Sequence, residues 1–78
     1  MNNFTVTEFF FKNDIVYNNP SFEIDTIEKL LDIIHKKYPD KKTYLTHTEG
    51  TDEYLIKFTN DNKHLFYLKK KLIIFNIK

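Results

Sequence analysis

The sequence predicts an α+β domain, in which a single antiparallel sheet of four to six strands, in a ββαβββ-like order, is packed by one amphipathic helix. One segment, residues 22–40, has helical periodicity, and the segments on both sides are short, β-prone and separated by Asn, Asp and Gly turns. The chain of 78 residues is predicted to form one small domain, residues 1–78, because a chain of this size cannot bury two independent cores.

The N-terminal segment predicts a β-hairpin. Phe4 and Val6 alternate with threonines in the period-two pattern of a strand, and three consecutive phenylalanines follow at 9–11. Asn13 and Asp14 then separate this run from a second apolar run. Both residue types tolerate the left-handed conformation that a two-residue turn requires, so we expect two antiparallel strands joined there.

The next segment predicts the helix. Asp25 followed by Glu28 is typical of an N-terminal capping box, and Pro39 is expected to end the helix. At 100° per residue, the apolar side chains fall on one face. The predicted buried stripe is Ile27, Leu30, Leu31, Ile34 and Tyr38.

Three or more strands are predicted after the helix. TYLTHT and EYLIKF flank a turn around the only glycine, and residues 60–62 mark the next turn. The segment from His64 to Ile77 is longer than an ordinary strand of 3 to 10 residues. We therefore expect an interruption at Lys69–Lys71, which gives either two short strands or one bent strand.

The composition narrows the classes of protein to which this chain can belong. It has no cysteine, which excludes disulfides and thiolate metal sites, and its eight Phe and five Tyr are expected to supply the core. The longest uninterrupted apolar run has four residues, so we expect a cytoplasmic protein that does not span a membrane. All basic residues are Lys and alanine is absent, which indicates an A/T-rich genome of a bacterium or its virus.

No motif indicates catalysis. His35, His47 and His64 have no metal-ligand spacing, and we interpret them as ordinary surface or boundary residues. His47 beside the acid pair Asp52 and Glu53 could on paper form a small hydrolase-type site, but acids beside a turn are more often turn formers. One glycine cannot build a phosphate loop. We expect no enzyme activity, no cofactor and no metal.

The closing segment motivates a protein-binding hypothesis. Ile73, Phe75 and Ile77 alternate on one side of the predicted last strand, and large apolar groups also occupy the other side. One helix cannot cover both faces, so we expect contact with another protein, either a second copy in a homodimer or a target. The alternative is that Phe9 and Phe11 of the N-terminal hairpin cover this segment within the subunit.

In size, style and lack of motifs the chain resembles small virus-encoded inhibitors of bacterial defence, including anti-CRISPR proteins. This resemblance rests on no motif, and it implies a stoichiometric inhibitor or regulator acting in the cytoplasm of a bacterial host. Its binding surface would be the acidic helix face, Glu28 and Asp32, or the acidic turn residues Asp52, Glu53 and Asp61. A net charge of +1 makes mimicry of nucleic-acid phosphates the weaker variant.

A nucleic-acid-binding sheet is the alternative function. Lysine clusters after the helix and near the C-terminus could form a positive patch, with an aromatic ring for base stacking. The candidates are Lys41, Lys42, Lys69, Lys70, Lys71 and Tyr67. Eleven acids and the absence of Arg oppose this hypothesis. The run 69–71 has two other interpretations: a turn, or a guard on a terminal strand that keeps the following apolar LIIF segment from pairing with other chains.

Overall fold

The computed structural model describes residues 3–71, which form one six-stranded antiparallel sheet with one helix packed on it. The predicted α+β class is therefore confirmed, with one further short strand before the helix. The elements are β1 (Asn3–Lys12), β2 (Ile15–Asn18), β3 (Phe22–Ile24), α1 (Ile27–Lys37), β4 (Thr43–His47), β5 (Glu53–Phe58) and β6 (Asp61–Lys71).

The order of strands across the sheet is β2-β1-β6-β5-β4, and β3 also pairs with β1. One side of β1 pairs with β6 along residues 3–10, and the other side pairs first with β3 and then with β2. Between these two short strands, the Asn19 N–H donates to the Glu8 carbonyl at 3.1 Å. The first and last strands of the described chain are therefore neighbours in the middle of the sheet.

The hairpin predicted at the N-terminus is confirmed. Asn13 and Asp14 have φ values of 52° and 63°, and Lys12 lies directly opposite Ile15. Two successive positive φ values are the conformation that matches the twist of a two-residue hairpin. A similar choice of residue appears between β5 and β6, where Asn60 has a φ of 64°.

The helix forms with the predicted buried stripe, but its N-cap is Thr26, one residue after the predicted Asp25. Thr26 has an extended backbone, and its hydroxyl accepts from the Lys29 N–H at 3.2 Å. Asp25 instead accepts from the Lys29 ammonium at 2.7 Å. The prediction of Asp25 as the N-cap is therefore wrong. Thr26 is the last residue with non-helical backbone, and its hydroxyl accepts the Lys29 N–H that has no partner within the helix.

The core lies between the helix and one face of the sheet, called here the inner face. The buried side chains alternate along β1, β5 and β6, as expected for strands with one covered face. They are Val6, Leu30, Ile34, Ile56, Phe58, Phe66 and Leu68. The remaining members of the predicted helix stripe, Ile27, Leu31 and Tyr38, pack against this cluster while partly buried.

The lysine run at 69–71 differs from its prediction. All three lysines lie in β6, directly opposite Thr5, Phe4 and Asn3 of β1. The predicted break or turn at these lysines is therefore wrong for the described residues. β6 itself lies between β1 and β5, whereas the apolar segment that the guard interpretation concerns lies outside the described residues, so that interpretation stays a prediction.

The irregularity in β6 lies at its other end. Lys57 of β5 is opposite Leu65, whereas its neighbour Phe58 is opposite Asp61, so the register shifts between them. The intervening residues of β6 bulge out of the ladder with β5, and His64 lies among them. A bulge bends its strand and re-aims side chains. Here it accompanies the burial of His64 against the inner face.

Candidate functional site

The face of the sheet opposite the helix, called here the outer face, carries a continuous apolar surface. Its members alternate with the buried residues of the inner face, so they point away from the helix. The outer apolar surface consists of Phe9, Phe11, Val16, Tyr44, Leu55, Leu65 and Tyr67.

These side chains are neighbours because the strands are in register. Phe9 lies opposite Leu65, Leu65 opposite Lys57, and Lys57 opposite Tyr44, which makes one row across four strands. In the next row, Tyr67 is opposite Leu55. Directly opposite residues have Cβ atoms roughly 5 Å apart, so each row forms a contiguous surface, and in the first row the charged Lys57 stands between Leu65 and Tyr44. None of the described helices or strands covers it.

The exposure of this surface is uneven. Val16 is 53% exposed, Tyr44 46% and Phe11 38%, whereas Phe9 and Leu65 are half-buried between their neighbours. Single exposed apolar residues are normal on a protein surface, but a contiguous apolar patch usually marks a binding site. The outer apolar surface therefore has a partly buried centre at Phe9 and Leu65, surrounded by more exposed aromatic and aliphatic side chains.

A groove of about 410 Å³ borders this surface at the end of β6. It is lined by Thr5, Thr7, Tyr67 and the lysines 69–71. The Tyr67 hydroxyl donates to the Glu53 carboxylate at 2.6 Å, and this hydrogen bond raises the pKa of Tyr67. The predicted candidates Tyr67 and Glu53 are thus joined to each other on the outer face.

The structure does not bring the two predicted lysine clusters together. Lys69 and Lys71 belong to the outer face, whereas Lys70 is opposite Phe4 and borders the start of the helix. Lys41 lies at the far end of β6, where its ammonium is 3.1 Å from the Asp61 carboxylate. Because β6 rises about 3.3 Å per residue, its two ends are separated by roughly 30 Å. The exposed Lys42 neighbours Lys41, so the lysines do not form one patch.

The predicted acidic residues are interleaved with lysines. Glu28 lines a shallow groove together with Lys70, and Asp32 is exposed on the helix, away from the outer face. Asp52 is exposed in the β4–β5 turn, and its carbonyl accepts from the Lys70 N–H at 2.8 Å. Glu53 lies directly opposite Lys69. Because lysines lie beside these acids, the acidic residues do not present the uniform negative charge that mimicry of phosphates requires.

Three of the predicted protein-binding residues, Ile73, Phe75 and Ile77, lie outside the described residues. Phe9 and Phe11, which were expected to cover them in the alternative interpretation, belong to the outer apolar surface. The prediction about the closing segment therefore stays a prediction, and the outer apolar surface consists of other residues.

A buried polar cluster at the inner face was missed by sequence reasoning. Glu8 and His64 are 5% and 6% exposed, and the His64 Nε2 lies 2.6 Å from a Glu8 carboxylate oxygen. The Tyr38 hydroxyl donates to the same oxygen at 2.9 Å, and the Asn19 amide donates to the other oxygen at 2.9 Å. The Lys37 ammonium lies 3.7 Å away. These residues are called the Glu8 cluster.

The electrostatics of the Glu8 cluster favour a carboxylate. Burial alone raises the pKa of Glu8, but hydrogen bonds from His64, Asn19 and Tyr38 and the charge of Lys37 outweigh it, so the pKa is lowered. Burial and the bond to Glu8 raise the pKa of Tyr38 to about 12. Every buried side-chain polar atom in residues 3–71 has a hydrogen-bond partner. The cluster is therefore a satisfied network that joins β1, β6 and the end of the helix.

The histidines do not form the predicted hydrolase-type arrangement. His47 donates from Nε2 to the Thr51 carbonyl at 2.6 Å and stacks on Tyr54, rather than contacting the acid pair that follows Thr51. His35 lies 3.2 Å from the Thr43 hydroxyl. The prediction of His64 as a surface or boundary residue is wrong, because it is buried and stacks on Phe10 with ring centroids 4.4 Å apart.

Among residues 3–71, no group of three or more His, Asp or Glu side chains is arranged to hold a metal ion. In the same range, no helix is long and apolar enough to cross a membrane. Comparison of the chain with models of protein families, with curated proteins and with solved structures gave no significant match.

Proposed function

We propose that this protein is a non-catalytic protein-binding module and that the outer apolar surface is its binding surface. The observation that carries the proposal is the continuity of this surface: apolar side chains from five strands occupy one face that no described element covers. Burying such a surface against a partner is favourable by about 25 cal/mol for each Å² of apolar area removed from water.

The composition of the surface supports a protein partner. Phe9, Phe11, Tyr44 and Tyr67 supply the aromatic groups that are enriched at the centres of protein interfaces. Charged groups of both signs lie at its border, where Lys71 is 3.5 Å from Glu23. An apolar centre with a mixed polar rim is the usual anatomy of a protein interface.

The proposal extends to a stoichiometric inhibitor or regulator, of the kind that viruses encode against bacterial defence systems, acting as a homodimer in the host cytoplasm. Its support is the small size of the chain, its lack of motifs and its composition. An inhibitor of this kind requires an occluding surface and no catalytic group. The outer apolar surface meets that requirement.

The experiment compares two lysine substitutions at apolar positions. Leu65→Lys places a charge at the centre of the outer apolar surface, whereas Ile33→Lys places one on the helix, at a residue that is 46% exposed. Tagged wild-type protein and both variants are used to co-purify partners from host lysate. We expect the wild type and Ile33→Lys to retain the same partner and Leu65→Lys to lose it, with all three folded by circular dichroism.

Equal retention of that partner by Leu65→Lys would contradict the proposal. Loss with both variants would also contradict it, since the helix lies on the other side of the sheet. The partner recovered with the wild type is then identified by mass spectrometry. Binding is repeated with the purified partner, so that the ratio of the two chains in the complex can be measured.

A nucleic-acid-binding function remains the second candidate, and the groove beside Tyr67 is the observation that favours it. Lys69 and Lys71 line this groove together with an aromatic ring. A binder of this type would shift labelled single-stranded RNA or DNA in a strongly salt-dependent manner, and Ala substitution of all three lysines 69–71 would abolish the shift. Absence of any shift at low salt would exclude this function for the groove.

A further inference from the structure

Within residues 3–71, β4 is an edge strand of the sheet, and a regular set of its backbone groups points away from β5. The Lys42 carbonyl accepts from the Thr59 N–H at 2.8 Å, and the Thr48 N–H donates to the Glu53 carbonyl at 3.2 Å. In an antiparallel pair, alternate residues direct both backbone groups to the same neighbour. The even-numbered residues of β4 therefore bond to β5, and Thr43, Leu45 and His47 direct their N–H and C=O groups away from the sheet.

This edge lacks the devices that usually prevent pairing between molecules. Exposed edges are normally shortened, bulged, or interrupted by proline or lysine. The opposite edge is interrupted in this way, since Pro20 lies between β2 and β3. The five residues of β4 contain no proline and no lysine, and Tyr44 and Leu45 are 46% and 44% exposed.

We propose that a second copy of this chain pairs with β4 in an antiparallel ladder about a two-fold axis, with Leu45 opposite Leu45 of the second copy. Thr43 then lies opposite His47 of the second copy. This is the register in which all three outward-directed residues of β4 find partners within β4. This pairing gives a specific geometry to the homodimer of the proposed function, and it rests on the homodimer part of that proposal.

Charges beyond the strand agree with this register. Beyond the ends of the ladder, this register brings Lys41 towards Glu49 of the second copy, which lies in the β4–β5 turn, with Lys42 adjacent. If the axis were at Thr43, Lys41 would lie opposite Leu45 of the second copy. If it were at His47, Glu49 would lie opposite that leucine. Opposite charges across an antiparallel pair are favourable, and a charge opposite an exposed leucine is not. Pairing would join two sheets and place two outer apolar surfaces side by side.

The test combines light scattering with proline substitutions at the two edges. Leu45→Pro removes an N–H that faces away from β5, a position at which edge strands tolerate proline. Val16→Pro is the matched control on β2. The Asn19 N–H donates to β1, so the odd-numbered residues of β2 bond to β1, and the N–H groups of the even-numbered residues, including Val16, point away from the sheet. We expect wild type and Val16→Pro to have twice the 9.5 kDa chain mass, and Leu45→Pro to have half the wild-type value.

A second measurement, disulfide cross-linking, reports the register and does not require the proline variant to fold. The chain has no cysteine, so a single Leu45→Cys substitution introduces the only thiol. In the proposed ladder, the Cα of residue 45 lies about 5.5 Å from the Cα of residue 45 in the second copy, a distance that a disulfide can span. We expect oxidised Leu45→Cys to run as a covalent dimer in denaturing gels, and Val16→Cys to remain a monomer.

Three results would overturn the proposal: a monomeric wild type at high micromolar concentration, a Leu45→Pro variant that stays dimeric, or a Leu45→Cys variant that does not cross-link. None of these affects partner retention by wild type and its loss in Leu65→Lys. Failure of edge pairing is therefore distinguishable from failure of the proposed target-binding surface.

Discussion

The inner and outer faces of the sheet are built from the same strands but differ in what their side chains do. In β6, Phe66 and Leu68 of the inner face are 4% and 0% exposed, whereas Leu65 and Tyr67 of the outer face are only half-buried. The single helix is responsible, because it covers one face and leaves the other. Stability is therefore expected to depend on the inner face, while the outer face is available for binding.

The largest expected difference between the faces is the effect of shortening a leucine. Leu68→Ala leaves a cavity beneath the helix and should lower the free energy of unfolding by about 2–5 kcal/mol. Leu65→Ala, on the outer face of the same strand, should lower it by less than about 1.5 kcal/mol, since the side chain is already partly in water. Urea denaturation measures both. Equal losses would show that the outer face is as covered as the inner face.

The second effect concerns the Glu8 cluster of the inner face. Glu8→Ala leaves the buried groups of His64 and Tyr38 without their acceptor, which should cost about 1–3 kcal/mol of unfolding free energy. Glu23→Ala is the matched control, because Glu23 is exposed on β3 and its carboxylate lies 3.5 Å from the exposed Lys71 ammonium. We expect the control to change stability by less than about 1 kcal/mol. A comparable loss in both variants would contradict a special role for the buried carboxylate.

The same cluster predicts a dependence on pH. The pKa of Glu8 is lowered from 4.5 in the folded state, so its carboxylate stabilises the fold above the unfolded value. This contribution is lost as the pH falls below 4.5 through the lowered folded pKa. Glu8→Gln, whose side chain cannot titrate, should therefore lose less stability than the wild type between pH 5 and about 3. Parallel curves of unfolding free energy against pH would refute this assignment.

The smallest expected effect compares two tyrosine hydroxyls that each donate to a carboxylate. Tyr38→Phe removes the inner-face bond to Glu8, and Tyr67→Phe removes the outer-face bond to Glu53. We expect a loss of about 1–2 kcal/mol for Tyr38→Phe, since it leaves a buried acceptor less satisfied. Tyr67→Phe should stay within roughly 0.5 kcal/mol of the wild type, because its acceptor Glu53 is only partly buried and can accept from water instead. Thermal unfolding followed by circular dichroism would rank them.

Local chemistry was sufficient to predict several elements. Asn13 and Asp14 form the predicted turn because their side chains tolerate the left-handed region, and Leu30 and Ile34 are buried because they lie on the apolar side of one helix. The cap was misplaced by one residue, since Asp25 and Thr26 both can accept a hydrogen bond and only the backbone conformation distinguishes them.

The candidate surface was only partly predictable. Burial of Glu8 was missed, although Glu8 shares its side of β1 with Val6 and period-two alternation is the signal that would have found it. Nothing in the alternation indicated which buried partner it would have, since His64 is 56 residues away along the chain. The apolar residues of the outer face were each visible in the sequence, but their contiguity follows from the register of four strand pairs.

The sequence by itself determined the helix, the hairpin turns and the side of each strand on which a residue lies, because these depend on neighbours within a few residues. Only the tertiary structure decided that β6 lies beside β1 at the centre of the sheet, which places Lys69–Lys71 in a ladder rather than at an edge. Strand order depends on contacts between distant segments, whose energies are summed over the whole sheet. A pattern of neighbouring residues therefore does not predict the order of the strands.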